Sequence, residues 1–153
     1  MNVAIGSDHA GYQLKQYLVK ELTSFGYELI DCGTDSEDSV DYPDFAGKVC
    51  KLVKNGESQF GIVICSTGIG VSIAANKLYG IRAALCHTEF SANMARQHND
   101  ANVLALGGAV IGNRLALEIT KTFLGGNFSR GERHIRRIHK ISDLEKTQSN
   151  EHS

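Results

Sequence analysis

Three short runs, Val3-Ala-Ile-Gly6, Gly61-Ile-Val-Ile-Cys65 and Val103-Leu-Ala-Leu-Gly107, are apolar with almost no alternation. A strand with one face in water changes character at every second residue. A continuous apolar run therefore needs cover on both faces, the condition of a parallel strand between helices. Five segments read as strands: Asn2 to Gly6, Glu28 to Asp31, Phe60 to Cys65, Ile81 to Cys86 and Asn102 to Leu106. Between them run apolar stripes at helical spacing, namely Leu14, Leu18, Leu22 and Phe25, then Phe45, Val49, Leu52 and Val53, then Leu115, Ile119 and Phe123. The alternation predicts an α/β protein, a three-layer α/β/α sandwich, with these stripes packed into its core. The only proline, Pro43, sits where Asp41-Tyr-Pro-Asp-Phe45 would open a helix.

A chain of 153 residues can bury a core of its own, and one domain is expected over residues 1–146, including a basic C-terminal helix near 131–146, with 147–153 polar and frayed. The 16 Lys and Arg balance 17 Asp and Glu, so no broad nucleic-acid surface is expected and any anion site must be local. No apolar run approaches a membrane span and no leader pattern opens the chain, which makes the cytosol the expected location. The four cysteines, Cys32, Cys50, Cys65 and Cys86, lack the close spacing of zinc or redox motifs, so no metal is expected and reduced thiols are.

Ligands of parallel sheets gather at the carboxyl ends of the strands, where helix N-termini offer free N–H groups. After the first strand come Ser7-Asp-His-Ala-Gly11, and after the third Cys65-Ser-Thr-Gly-Ile-Gly70. The second segment is no Walker loop and lacks the third glycine of a dinucleotide fingerprint, so it reads as an oxyanion-binding turn or simply as a tight strand-to-helix turn. Cys65 holds the last strand position before it, where a thiolate beside N–H donors could take a proton from carbon next to a carbonyl. Asp8 reads equally as a ligand or as the cap of the next helix, and His9 could donate to a phosphate or a hydroxyl. His98, in the polar stretch Arg96-Gln-His-Asn-Asp100, is of the residue type that serves proton transfer and is a candidate to protonate a ring oxygen. Arg133 and Arg137, four apart on the basic segment, share a helix face suited to gripping a phosphate, and Ile135, Ile138, Ile141 and Leu144 supply that segment's apolar stripe.

Taken in order, SDHAG, DYPDFA, CSTGIGVSIAANK, GIRAALC, ARQHNDANVLALG and GERHIRR resemble the ribose-5-phosphate isomerase type B family over nearly the whole chain. The resemblance implies a five-stranded parallel sheet of Rossmann-like or flavodoxin-like kind and a homodimeric enzyme without cofactor that interconverts ribose 5-phosphate and ribulose 5-phosphate. By position, Cys65 is the base, and Thr67 with the N–H groups of Ser66, Gly68, Ile69 and Gly70 steadies the enediolate. His98 opens the furanose, Asp8 and Tyr42 contact sugar hydroxyls, Asn99 contacts the reacting end, and His9, Arg133 and Arg137 hold the phosphate. Related galactose-6-phosphate isomerase subunits are the nearest alternative. A non-catalytic phosphosugar- or nucleotide-binding module is the competing class.

Ala109 stands where many members of that family carry an arginine, and Arg114, on the next helix, is not expected to replace it. His98 precedes the fifth strand whereas Cys65 ends the third, so the two are expected at opposite ends of the sheet. That placement predicts a two-fold dimer with composite sites, Cys65 from one chain and His98 from the other, with pairing into tetramers left open.

Overall fold

The computed structural model describes residues 1–152. Five strands alternate with helices in the order β1 (Asn2–Ser7), α1 (Tyr12–Ser24), β2 (Glu28–Asp31), α2 (Tyr42–Lys54), β3 (Phe60–Cys65), α3 (Ile69–Ala75), β4 (Ala83–Leu85), α4 (Glu89–Asn99), β5 (Val103–Gly107), α5 (Asn113–Gly125) and α6 (Glu132–Glu151). The sheet has the order β2-β1-β3-β5-β4 with every neighbouring pair parallel, as expected from the unalternated apolar runs.

Successive residues of each central strand feed two different cores. Val3, Ile5, Ile62, Ile64, Leu104 and Leu106 face α1, α4 and α5 and build a layer of large side chains around Leu18, Leu22, Ile119 and Phe123. Ala4, Val63, Cys65, Val103 and Ala105 face α2 and α3, where the partners are Ala46, Val49, Cys50, Val71 and Ala75. On this second face the strands also present Gly6 and Gly61. A Cβ on either would lie within 2.8 Å of a Val49 methyl, so both glycines let α2 settle directly onto the sheet. Fully burying side chains of this size stabilises the fold by about 1.5–3 kcal/mol each, before conformational entropy is subtracted.

A buried ion pair fixes the β2 edge. Lys15 of α1 is fully buried, and its Nζ lies 2.7 Å from Asp31 Oδ2 and 2.8 Å from Asp31 Oδ1. Asp31 Oδ1 also accepts the Gly33 N–H at 2.9 Å, and Gly33 O in turn accepts the Ser7 N–H at 2.7 Å. The chain is thereby braced right up to the end of β1, one residue before Asp8.

Several expectations are corrected. Strand four covers Ala83–Leu85 rather than Ile81–Cys86, because the N–H groups of Arg82 and Ala83 bond to the side-chain oxygens of Asn102 and Asn76. Phe25 and Leu115 are exposed at 55% and 41%, so two of the stripe residues lie outside the core; Lys121 Nζ covers the Phe25 ring at 4.5 Å. The segment expected to fray from residue 147 continues α6 to Glu151, while Ser153 lies outside the described residues. Along α6 the buried residue is His134; Ile135, Ile141 and Leu144 are exposed. No helix is long and apolar enough to cross a membrane among the described residues.

Candidate active site

The chain leaves β1 toward one side of the sheet and β3 toward the other, so the loops after these neighbouring strands part and leave a crevice at their carboxyl ends. A cavity of about 490 Å³ lies there, lined by Asp8, Tyr42, Cys65, Ser66, Thr67, Ile69, Gly70 and Ile73. A larger cavity of about 690 Å³ runs between β4 and the far half of α6; of the expected site residues it includes only Asn99.

Cys65 ends β3 with 5% of its surface exposed, and its Sγ accepts the Gly68 N–H at 3.2 Å. Gly68 has φ 78°, a left-handed conformation that glycine adopts at little cost, and this bends the turn so that its N–H points back at the sulfur. The next N–H, of Ile69, donates to Thr67 Oγ1 at 3.2 Å, which leaves the Thr67 hydroxyl hydrogen available for another acceptor. Two of the N–H groups expected to converge on an oxyanion are therefore engaged by the loop's own side chains. The helix that follows, α3, has only seven residues, so the polarity felt at Cys65 comes from the turn rather than from a long helix dipole.

The turn is buttressed from β5: Gly108 N–H donates to Cys65 O at 2.8 Å and Ala109 N–H to Ser66 O at 2.9 Å. From the other side, the Tyr42 ring at the start of α2 lies so close to Gly70 that a Cβ there would be 2.6 Å from Tyr42 Cζ. The close seat of α2 on Gly6 and Gly61 thus carries Tyr42 to the cavity wall.

Asp8 does not cap α1, whose N-cap Gly11 has no side-chain bond; it ties the turn before that helix. Its Oδ1 accepts the Ala10 and Gly11 N–H groups at 3.0 and 3.1 Å, while Oδ2 has no hydrogen-bond partner among the described residues and the carboxylate lines the cavity. His9 Nδ1 accepts the Val40 N–H at 3.2 Å, an arrangement that leaves the ring hydrogen on Nε2 as an outward donor. Burial pushes the Cys50 thiol up to about 12 and also raises Cys32 and Cys86, so these three remain protonated thiols.

The other expected residues form a second cluster. His98 lies in the last turn of α4, and its ring stacks on His134 with centroids 4.3 Å apart and planes 12° from parallel. Arg133 and Arg137 flank His134 on the exposed surface of α6, and Asn99 closes α4. Of the polar stretch around His98, Arg96 and Asp100 are structural: Arg96 is buried over the Phe60 ring and bonds Asp100 Oδ1, Ala101 O and Gly126 O. Register separates the two clusters. Val103 pairs with Gly61 and Gly107 with Cys65, so His98 lies beyond the amino end of a strand whose four steps already span about 13 Å. His9 and the pair Arg133 and Arg137, expected to hold one phosphate together, belong to different clusters within a chain.

Sequence reasoning passed over His134 as a buried group, although its place four residues before Ile138 on the same helix face signals burial. Lys15 carried no such signal, since only the fold brings Asp31 to it. Ala109 stands beside Ser66 at the cavity end of β5, and Arg114 is exposed in the first turn of α5.

Fold and site together describe an α/β protein with a thiol, a hydroxyl and a carboxylate around one cavity at the carboxyl ends of its strands. Comparison with known proteins gives the family: residues 3–141 match the Ribose/Galactose Isomerase family, and the chain belongs to it. It is accordingly an isomerase. It is 47% identical to the ribose-5-phosphate isomerase B of Escherichia coli, over 94% of this chain and 95% of that protein. Among solved structures, the ribose-5-phosphate isomerase B of Clostridium thermocellum superposes with a TM-score of 0.95 at 54% identity, covering 97% of this chain and 99% of that one. The type B ribose 5-phosphate isomerase of Trypanosoma brucei gives 0.90 at 46% identity, over 94% and 97% respectively.

Proposed function

We propose that the protein interconverts ribose 5-phosphate and ribulose 5-phosphate, with Cys65 as the base. The observation that carries this reading is the placing of a thiol, a hydroxyl and a carboxylate, from Cys65, Thr67 and Asp8, around one cavity of sugar size. The thiolate of Cys65 removes the C2 proton of the open-chain aldose and the electron pair passes onto O1, giving an enediolate. The proton then returns to C1 while the O2 proton passes to O1, so that C2 becomes the ketone carbon and O1 a hydroxyl. The Thr67 hydroxyl donates to the oxygen on which charge develops, with the turn from Ser66 through Gly68 and Ile69 to Gly70 holding it in place. Asp8 and Tyr42 bind the sugar hydroxyls, and His9 presents Nε2–H to the phosphate.

Ring opening belongs to the second cluster: His98 delivers a proton to the furanose oxygen as the C1 hydroxyl loses one, Asn99 contacts the reacting end, and Arg133 and Arg137 hold the phosphate. Because these groups stand at the far end of the sheet within one chain, they act in the cavity of a second copy. A two-fold homodimer builds two such composite sites. No cofactor takes part. Turnover of ribose 5-phosphate by the purified protein, followed as ribulose 5-phosphate formation with and without chelator, tests the reading; no turnover, or turnover abolished by chelator, overturns it.

A further inference from the structure

The imidazole of His98 has no hydrogen-bond partner on either ring nitrogen among the described residues. A histidine that passes a proton is commonly oriented by a bond to one of its nitrogens. Here the oriented contact is a ring face. His134 lies against His98 at 4.3 Å and 12°, and it is itself held: only 7% of its surface is exposed, its backbone N–H donates to Gly131 O at 2.9 Å, and the Gly131 backbone comes so close that a Cβ there would lie 3.2 Å from His134 Cδ2. The segment leading into α6 is fastened to α4 one residue before His98, where Ser129 N–H donates to Gln97 O at 3.1 Å. Both rings of the stack thus sit on backbones tied to each other.

We propose that His134 is a positioning residue for ring opening: its buried ring, stacked on one face of His98, sets the plane of that imidazole and leaves both nitrogens at the open edge for the furanose. The inference rests on the assignment of ring opening to His98. Stacking suits this role because it consumes a face and no donor or acceptor, whereas a hydrogen bond would occupy one of the two nitrogens the proton transfer needs. Burial lowers the pKa of His134, and the positive charges of His98, Arg133 and Arg137 lower it further, so the partner ring is neutral in the neutral range. It adds no second positive charge beside the groups that hold the phosphate.

Two measurements separate positioning from general damage: saturated turnover of ribose 5-phosphate, which needs the ring opened, and exchange of the C1 proton of open-chain ribulose 5-phosphate with deuterium from solvent, which needs no ring opening. His134→Ala should lower the first about three- to tenfold, the range of a lost aromatic stack, and leave the second within about twofold. His134→Phe, which keeps a flat ring and removes the nitrogens, should keep the first within about twofold of the native enzyme. Equal losses in both measurements, no loss in His134→Ala, or a His134→Phe variant as impaired as His134→Ala would overturn the inference. His98→Asn is the control on the underlying reading, because it should depress furanose turnover far more than C1 exchange. If it lowers both alike, the assignment of His98 is wrong; if it behaves as expected and His134→Ala does not, the positioning role alone fails.

Discussion

The turn after β3 and the helix ends around His98 belong to one chain but are held by different means. At the turn, backbone does the holding. Gly68 bends toward the sulfur, Gly108 and Ala109 brace Cys65 and Ser66 from β5, and Tyr42 rests on Gly70. Around His98, side chains of two helices meet across a loop, with a ring stack as the principal contact and two exposed arginines beside it. A backbone cradle is complete as soon as the sheet forms, and it fits a step that requires fixed geometry at a carbon atom. Surface side chains on helix ends suit the second copy proposed above, whose docking would supply the remaining order.

The largest effect is expected at the cradle. Cys65→Ser preserves shape but replaces the thiolate by a hydroxyl of ordinary acidity, and both isomerisation and C1 exchange should fall by about 10²–10⁴-fold with the fold retained. Wild-type turnover in this variant would remove Cys65 from its role. The relation between the clusters is tested next. When Cys65→Ser and His98→Asn chains are mixed under subunit exchange, half of the dimers should be mixed, each with one site intact in both residues and one intact in neither. Activity should rise to about a quarter of the native level by that symmetry. No recovery despite demonstrated exchange would place both residues in one chain's site.

A smaller effect concerns the phosphate. Position 109 stands beside Ser66, at the Cys65 end, so Ala109→Arg would bring a guanidinium to the side that otherwise offers only His9. A charge-assisted bond of this kind is worth about 1.5–3 kcal/mol, and the Michaelis constant for ribose 5-phosphate should fall about tenfold or more. An unchanged or higher constant would show that the far cluster already saturates the phosphate. The smallest change is expected from Gly70→Ala. The Tyr42 ring must move aside for the new methyl, but it is partly exposed and has room to turn, so the Michaelis constant should rise about threefold, the scale of a weakened hydroxyl contact. An effect as large as that of Cys65→Ser would mean the whole turn had shifted.

The central strands were legible in the sequence because burial on both faces writes an unbroken apolar run, and the placement of Cys65, Thr67 and Asp8 at one cavity was legible because loops after such strands gather at the carboxyl end of the sheet. The edge was less so: β4 is three residues long because asparagine side chains take over its neighbouring N–H groups, an arrangement no propensity encodes. The helix carrying His98 was not legible, because α4 packs mainly through alanines, Ala92 and Ala95, and shows no wide apolar stripe. His134 escaped notice as a functional group because stacking is a tertiary relation between helices 36 positions apart at the stacked residues. The burial of Lys15 had no signal in the sequence, because only the fold brings Asp31 to it.

The bracing of Cys65 and Ser66 by Gly108 and Ala109 also bears on how the protein comes into being. The strand that carries the thiol is complete at residue 65, yet the groups that steady its turn are made some forty residues later, and the intervening pairings are all long-range. Closing such non-local contacts is the slow part of folding a parallel sheet. A growing chain that has formed β1 to β3 therefore still has an unsupported thiol turn, and chemistry can begin only once β5 has been threaded between β3 and β4.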